Sequence, residues 1–299
     1  MVLHGYIVLA GAIVGFAVGL TGMGGGALMT PVLVLLLGVR PGAAVASDLV
    51  ASLFMKPVGS IVHIRRQTVH WPIVAWLAAG SAPSGFLGAY LVNSLASGAA
   101  LAHAIELALG IALAIAVGGV VVRMFLDRRR ASPRPAAPIA VRPLPTLAIG
   151  VLGGLVVGMT SVGSGSLMIV ALMFCYPQLA GRELVGTDLV QSIPLVASAA
   201  LGQALFGDVR LGVTVSLLVG SLPAIYLGSR LSSSASSTSV LRPVITAVLA
   251  VSSLKLLGVG NTGLAIAVAS SGGAGLAYAL ARTAHRRRTT AELGTSPNA

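Results

Sequence analysis

Two glycine-rich stretches contain the residues best suited to bind a small ligand. Glycine lets a ligand approach the backbone closely, and a helix that begins at such a turn presents unpaired N–H groups and a partial positive charge. Two such turns that meet would form an anion site from N–H groups and hydroxyls, without a formal cation. The candidate residues are Thr21, Gly22, Gly24, Gly25 and Gly26 in the first stretch and Thr160, Ser161, Gly163, Ser164 and Gly165 in the second.

The alternative role for these glycines is close packing of helices. Gly15 and Gly19 form a small-xxx-small pair, as do Gly154 and Gly158, and such pairs let membrane helices touch. We therefore assign the outer pairs to packing. We assign the inner clusters to function, because the consecutive glycines 24–26 exceed what a packing groove requires.

Lys56 is a cation inside an apolar segment, twelve residues after the segment begins at residue 44. A cation at the centre of a bilayer costs about 2.5 kcal/mol or more, so it requires an anionic partner. Asp48 and a bound substrate are the two candidates. The alternative is that Lys56 snorkels toward Arg65. Gln191 is predicted at a similar depth in the second half, where it would add hydrogen bonds.

Asp48 and Asp188 occupy equivalent positions near the start of an apolar segment in each half. Ser47 and Thr187 precede them and are good N-cap residues, so capping is the favoured interpretation, with each acid in a first helical turn. The functional alternative is a proton or cation relay, because intramembrane carboxylates usually serve transport.

Other chemistries find little support in the sequence. His103 and Glu106 are three residues apart, but no cluster has the number of ligands that a metal needs, and no cofactor is predicted. Ser164 lies between glycines without the G-x-S-x-G spacing or a downstream histidine outside the tail, so a serine hydrolase is not expected. We therefore predict that the protein is not an enzyme.

The elements that must position these residues are membrane helices. The 299 residues are 56% hydrophobic and 9% charged, with a mean hydropathy of +0.97, whereas soluble domains carry about 25% charged residues. The basic residues lie in short clusters between apolar runs, so the net charge of +12 indicates membrane orientation rather than nucleic-acid binding. We predict an all-α polytopic membrane protein. Its eight or nine segments are 6–38, 44–64, 71–92, 101–126, 144–176, 185–206, 211–231, 240–258 and 261–281.

The chain contains an internal repeat with a shift of 139 or 140 residues. Duplicated halves are common among secondary transporters, with the substrate at the repeat interface. The matching blocks are 19–29 with 158–168, 47–50 with 187–190, and 80–88 with 220–228. The predicted divisions are an N-terminal repeat (1–126), an Arg- and Pro-rich linker (127–143), a C-terminal repeat (144–258), an extra segment (259–281) and a basic disordered tail (282–299).

The first segment of each half is too long for a simple span. Residues 6–38 would extend about 50 Å as one helix, against a hydrocarbon core of about 30 Å. Each segment is therefore predicted to be two half-helices around a glycine turn, either a broken span or a re-entrant hairpin. The re-entrant arrangement places 15 basic residues inside and 3 outside. The positive-inside rule prefers it, with inverted halves and a cytoplasmic linker and tail.

The sequence resembles the TauE/SafE family of sulfite exporters, also called the toluene-sulfonate uptake permease family. The glycine pattern from Gly15 to Gly26, its weaker copy from Gly154, and the Ser/Thr-Asp-Leu triplet after each carry the resemblance, over roughly residues 8–258. It implies an inner-membrane carrier of about eight segments that exports small sulfur-containing anions such as sulfite, sulfoacetate or related sulfonates. Ser161 and Ser164 depart from the pattern by replacing glycines.

The leading hypothesis is an alternating-access carrier that holds an anion between the two glycine turns, with charge added by Lys56. The alternatives are a carrier or channel for another solute, such as a carboxylate, and a non-transporting membrane interaction or structural subunit. The expected partners are a small anion, membrane lipid, a coupling proton or cation and a second copy of the chain, and no nucleic acid.

Overall fold

Every regular element that the structure describes is a helix, in agreement with the predicted all-α class. The computed structural model describes residues 5–21, 25–94, 98–129, 140–165, 167–231 and 238–259. The helices are α1 (Gly5–Thr21), α2 (Gly26–Pro31), α3 (Pro41–Arg65), α4 (Trp71–Ser94), α5 (Gly98–Arg129), α6 (Pro143–Thr160), α7 (Leu167–Cys175), α8 (Gly181–Phe206), α9 (Leu211–Leu231) and α10 (Thr238–Leu256). A π-helical turn, Val32–Leu36, continues α2.

Five of the described helices are long and apolar enough to cross a membrane. They are Pro41–Arg65, Gly98–Val121, Pro143–Thr160, Gly181–Phe206 and Leu211–Gly228. Shorter apolar helices cover Gly5–Gly19, Gly26–Leu36 and Thr246–Leu256. Segment 261–281, the tail and most of the linker lie outside the described residues, so the total of eight or nine segments stays a prediction.

The interruption of each long first segment is confirmed. The stretch 6–38 is divided into α1 and α2, and the stretch 144–176 into α6 and α7. Both interruptions fall on the glycine-rich blocks, because glycine weakens a helix and adopts backbone angles that other residues avoid. Each half therefore has the same order of elements, with α1 to α5 matched by α6 to α10.

Glycines let helices of opposite halves approach closely. A Cβ atom on Gly15 would clash with the backbone of Ser221, and one on Gly158 would overlap the carbonyl of Gly85. Gly154 is in equally close contact with α4. The packing role predicted for the outer pairs is therefore confirmed for Gly15, Gly154 and Gly158, in the α1–α9 and α4–α6 pairs.

The glycine contacts also give the relative directions of the helices. On α6, Gly150 lies against Leu77 and Gly158 against Gly85, so α4 and α6 run in the same direction. The contacts of α1 with α9 advance in the same way. In contrast, Gly186 of α8 lies against Thr68, just after α3, and α3 and α8 run in opposite directions.

Two matching hydrogen bonds join the halves at opposite ends of the α3–α8 pair. The backbone N–H of His70 donates to Oγ1 of Thr187 at 3.1 Å, and the backbone N–H of Arg210 donates to Oγ of Ser47 at 3.3 Å. Donor and acceptor of the second bond are each 140 residues away from their counterparts in the first. The repeat in the sequence is thus also a repeat in the contacts between the halves.

Candidate functional site: a buried polar cluster between the halves

The two glycine turns come together in the structure. Gly26, the first residue of α2, lies so close to the carbonyl of Ser161 that a Cβ atom would overlap it. Gly22 and Gly24 lie outside the described residues, and Thr21 is the last residue of α1. The predicted meeting of the turns is therefore observed through the part of the first turn that the structure describes.

The second turn has an unusual backbone that positions its side chains. Ser161 has φ 61° and Gly163 has φ 124°, and Gly165 has φ 98°. The Gly163 carbonyl accepts the backbone N–H of Leu167 at 3.1 Å, which starts α7. A residue with a side chain would be strained at Gly163, whereas the residues at 161 and 164 carry hydroxyls into the buried interior.

Thr160 supports this turn with its own hydroxyl. Its Oγ1 donates to the carbonyl of Val156 at 2.7 Å and accepts the backbone N–H of Val162 at 3.1 Å. The hydroxyl thus links the last turn of α6 to the backbone of the glycine-rich turn that follows it. Thr160, which we predicted as a ligand donor, uses its hydroxyl to shape the turn that presents its neighbours.

Lys56 reaches the turn of the opposite half. Its Nζ donates a hydrogen bond to Oγ of Ser164 at 2.5 Å, and the residue is 7% exposed. The alternative that Lys56 snorkels toward Arg65 is therefore wrong, since the ammonium is held inside by the α6–α7 turn. Both Asp48 and Asp188 interact with it electrostatically.

Asp48 connects three elements through one carboxylate oxygen. Its Oδ2 accepts hydrogen bonds from Thr30 of α2 at 2.8 Å and from Ser161 of the second turn at 2.7 Å. The side chain is fully buried. The favoured capping interpretation is wrong for this residue, because α3 begins at Pro41 and its N-cap is Arg40.

Asp188 is the equivalent acid of the second half and has different partners. Its Oδ1 accepts a hydrogen bond from Nε2 of Gln191 at 3.1 Å, while Oε1 of Gln191 accepts one from Ser81 at 3.1 Å. The capping interpretation is wrong for this residue too. Helix α8 begins at Gly181, and Glu183 accepts the Ala180 N–H there at 2.8 Å.

Together these side chains form what we call the polar cluster, which consists of Thr30, Asp48, Lys56, Ser81, Ser161, Ser164, Asp188 and Gln191. Each of its members is buried. It contains one ammonium and two carboxyl groups, with hydroxyl and amide donors around them. Among the described residues there is no group of three His, Cys, Asp or Glu side chains placed to hold a metal ion. The ammonium, hydroxyl and amide donors of the polar cluster can form hydrogen bonds to an oxyanion.

Two members of the polar cluster were missed from the sequence. Thr30 follows the repeated block that ends at Met29, and Ser81 lies inside another repeated block. The repeat therefore indicates the segments in which both residues lie, but not the residues themselves. Neither hydroxyl has a spacing that distinguishes it from an ordinary membrane-helix residue, because its partner is distant in the sequence.

Comparisons with known proteins agree with the helical membrane architecture. The model of the family described as Sulfite exporter TauE/SafE matches residues 7–256. "Probable membrane transporter protein YjnA" of Bacillus subtilis is 38% identical over 253 residues, which cover 84% of this chain and 98% of the relative. "Probable membrane transporter protein YdhB" of the same organism is 24% identical, over 75% of this chain and 88% of the relative. A "Probable membrane transporter protein" of Xylella fastidiosa is 27% identical, over 77% and 85%. No solved structure matches the chain.

Proposed function

The chain belongs to the Sulfite exporter TauE/SafE family of membrane transporters, and we propose that it exports a small sulfur-containing anion, such as sulfite, sulfoacetate or a related sulfonate. The observation that carries this proposal is the hydrogen bond from Lys56 to Ser164. It puts the buried ammonium of one half on the glycine-rich turn of the other. An oxyanion between them would receive a charged hydrogen bond as well as hydroxyl donors.

We propose that the two halves are inverted repeats. Since α3 and α8 run in opposite directions while α4 runs with α6 and α1 with α9, equivalent helices of the two halves are antiparallel if short loops connect antiparallel neighbours. The same directions support α1 and α2 as a re-entrant pair. Inverted halves exchange roles when a carrier alternates between its two open states.

In this mechanism the polar cluster is the fixed site and the interface between the halves is the moving part. Lys56 and Asp48 belong to the first half, whereas Ser164 and Ser161 belong to the second. A change in the relative position of the halves would therefore break both hydrogen bonds between them and expose the anion to one side. The linker and tail would lie in the cytoplasm, with the protein in the inner membrane.

The experiment that tests this function is flux in vesicles. Purified full-length protein is reconstituted into liposomes loaded with radiolabelled sulfite, and release is compared with protein-free liposomes. We expect protein-dependent release that unlabelled sulfite and sulfonates inhibit. Release inhibited only by carboxylates would assign another substrate, and no release of any sulfur anion would refute the proposal.

A further inference from the structure

Asp48 has one carboxylate oxygen that the polar cluster leaves unpaired. While Oδ2 accepts two hydrogen bonds, Oδ1 is buried and has no hydrogen-bond donor among the described residues. The nearby hydroxyl of Ser52 interacts with the carboxylate but does not form a hydrogen bond of normal geometry with Oδ1. A buried charged oxygen without a partner is costly, and a proton on Oδ1 removes the charge.

Few titratable groups near Asp48 could bind a proton in its place. Lys56 on α3 is the cation that acts on it, and Asp188 on α8 is the second acid beside that cation. Helix α2 and the turn at 161–165 contribute hydroxyls and no titratable group. The other described titratable side chains on α3 and the helices packed against it are half-buried or exposed, namely His63, Arg65, His103, Glu106, Arg182, Glu183, Arg210 and Tyr226.

An anion beside Lys56 changes the charge balance of this group. The polar cluster already contains two carboxyl groups and one ammonium, so an added anion repels an ionised Asp48. Protonation of Oδ1 removes that repulsion, while Oδ2 keeps its bonds to Thr30 and Ser161. Anion and proton therefore favour each other's binding, as coupled ligands must do reciprocally.

We propose that Asp48 binds a proton on Oδ1 when the anion occupies the site beside Lys56, so that each anion crosses the membrane with one proton. This inference rests on the proposed anion transport and adds its coupling ion. For a doubly charged oxyanion, one net negative charge leaves with each cycle. An inside-negative membrane potential then still favours export, because negative charge moves outward.

Asp188 differs from Asp48 in the hydrogen bonding of its Oδ1, the oxygen that binds the proton in Asp48. Its Oδ1 is bonded by Gln191, whose counterpart in the first half is Ala51. The repeat therefore gives the two acids the same position and different partners. Asp188 remains the counter-charge of Lys56, and Asp48 takes up and releases the proton.

Infrared difference spectroscopy tests protonation directly. Sulfite is added at fixed pH to full-length protein in liposomes, and the C=O stretch of a protonated carboxylic acid is recorded. The band is expected in the wild type and in Asp208→Asn, an exposed control, and it should be lost in Asp48→Asn. The inference is overturned if the band persists in Asp48→Asn, or if it is lost in Asp188→Asn and not in Asp48→Asn.

If Asp48→Asn does not fold, Asp48→Glu and wild-type protein, both with ¹³C-labelled aspartate, replace it. The wild-type band must then shift on labelling, and the glutamate variant must give a band that does not; any other pattern overturns the inference.

Flux measured in parallel separates the two proposals. At each pH, the ionisation of sulfite is the same for wild type and variant, so the difference between them belongs to the protein. We expect the wild type to show sulfite release driven by a pH gradient, and we expect Asp48→Asn to reduce that pH-driven component about ten-fold. Wild-type release without proton movement overturns the coupling alone, whereas absence of sulfite flux overturns the proposed function and this inference together.

Discussion

The hydroxyl of Ser161 donates a 2.7 Å hydrogen bond to Oδ2 of Asp48, across the boundary between the two halves of the chain. Ser161 has φ 61°, so the bend of the second glycine turn aims its side chain at α3. The first half contributes the acid and the second half the donor. This bond therefore reports directly on whether the halves are closed around the polar cluster.

Removal of this donor should destabilise the closed arrangement. Ser161→Ala leaves Asp48 with one of its two donors, and loss of a hydrogen bond to a buried charged group costs about 1.5–3 kcal/mol. We expect a lower unfolding temperature of the detergent-solubilised protein. The control is Ser192→Ala, because that hydroxyl donates to the Leu189 carbonyl of its own helix. Equal effects of the two variants would contradict the role of the Ser161 bond.

Close packing of α4 and α6 should depend on Gly158. In Gly158→Ala the new Cβ atom would overlap the backbone carbonyl of Gly85, which cannot move away by a side-chain rotation. Overpacking of this kind costs about 1–3 kcal/mol. The matched control is Gly118→Ala on α5, where a Cβ atom meets nothing within 4 Å.

The outcome is measured as the thermal stability of the two variants. Gly118→Ala should be neutral or stabilising by up to about 1 kcal/mol, since alanine favours a helix over glycine. A Gly158→Ala protein as stable as the wild type would show that the α4–α6 contact is looser than the structure describes.

Inverted halves predict that two short loops lie on opposite sides of the membrane. Gln67 follows α3, and Asp208 follows α8. With Cys175 replaced, Gln67→Cys and Asp208→Cys are each tested with a membrane-impermeant thiol reagent in intact cells and in inside-out vesicles. We expect position 67 to react from the cytoplasm and position 208 from outside, and reaction of both from the same face would exclude the inversion.

The sequence predicted the repeat, the interruption of the first helix in each half and the burial of Lys56 and Gln191. The repeat follows from matching blocks of sequence, the interruptions from local glycine content, and the burial from position within an apolar segment. It did not predict that Thr30 and Ser161 share one oxygen of Asp48, since that contact depends on how distant segments pack. The capping interpretation failed because α3 starts at Pro41, where proline is favoured in a first helical turn, three residues before the apolar run begins.

The central claim is that Lys56 binds the transported anion, and efflux of radiolabelled sulfite from proteoliposomes tests it most directly. Lys56→Met removes the ammonium and keeps a side chain of similar length, while Lys255→Met removes an exposed lysine of α10 as the control. A charged hydrogen bond is worth about 1.5–3 kcal/mol, so Lys56→Met should slow efflux about ten-fold or more. Lys255→Met should leave efflux unchanged. Wild-type rates in folded Lys56→Met protein would contradict the claim.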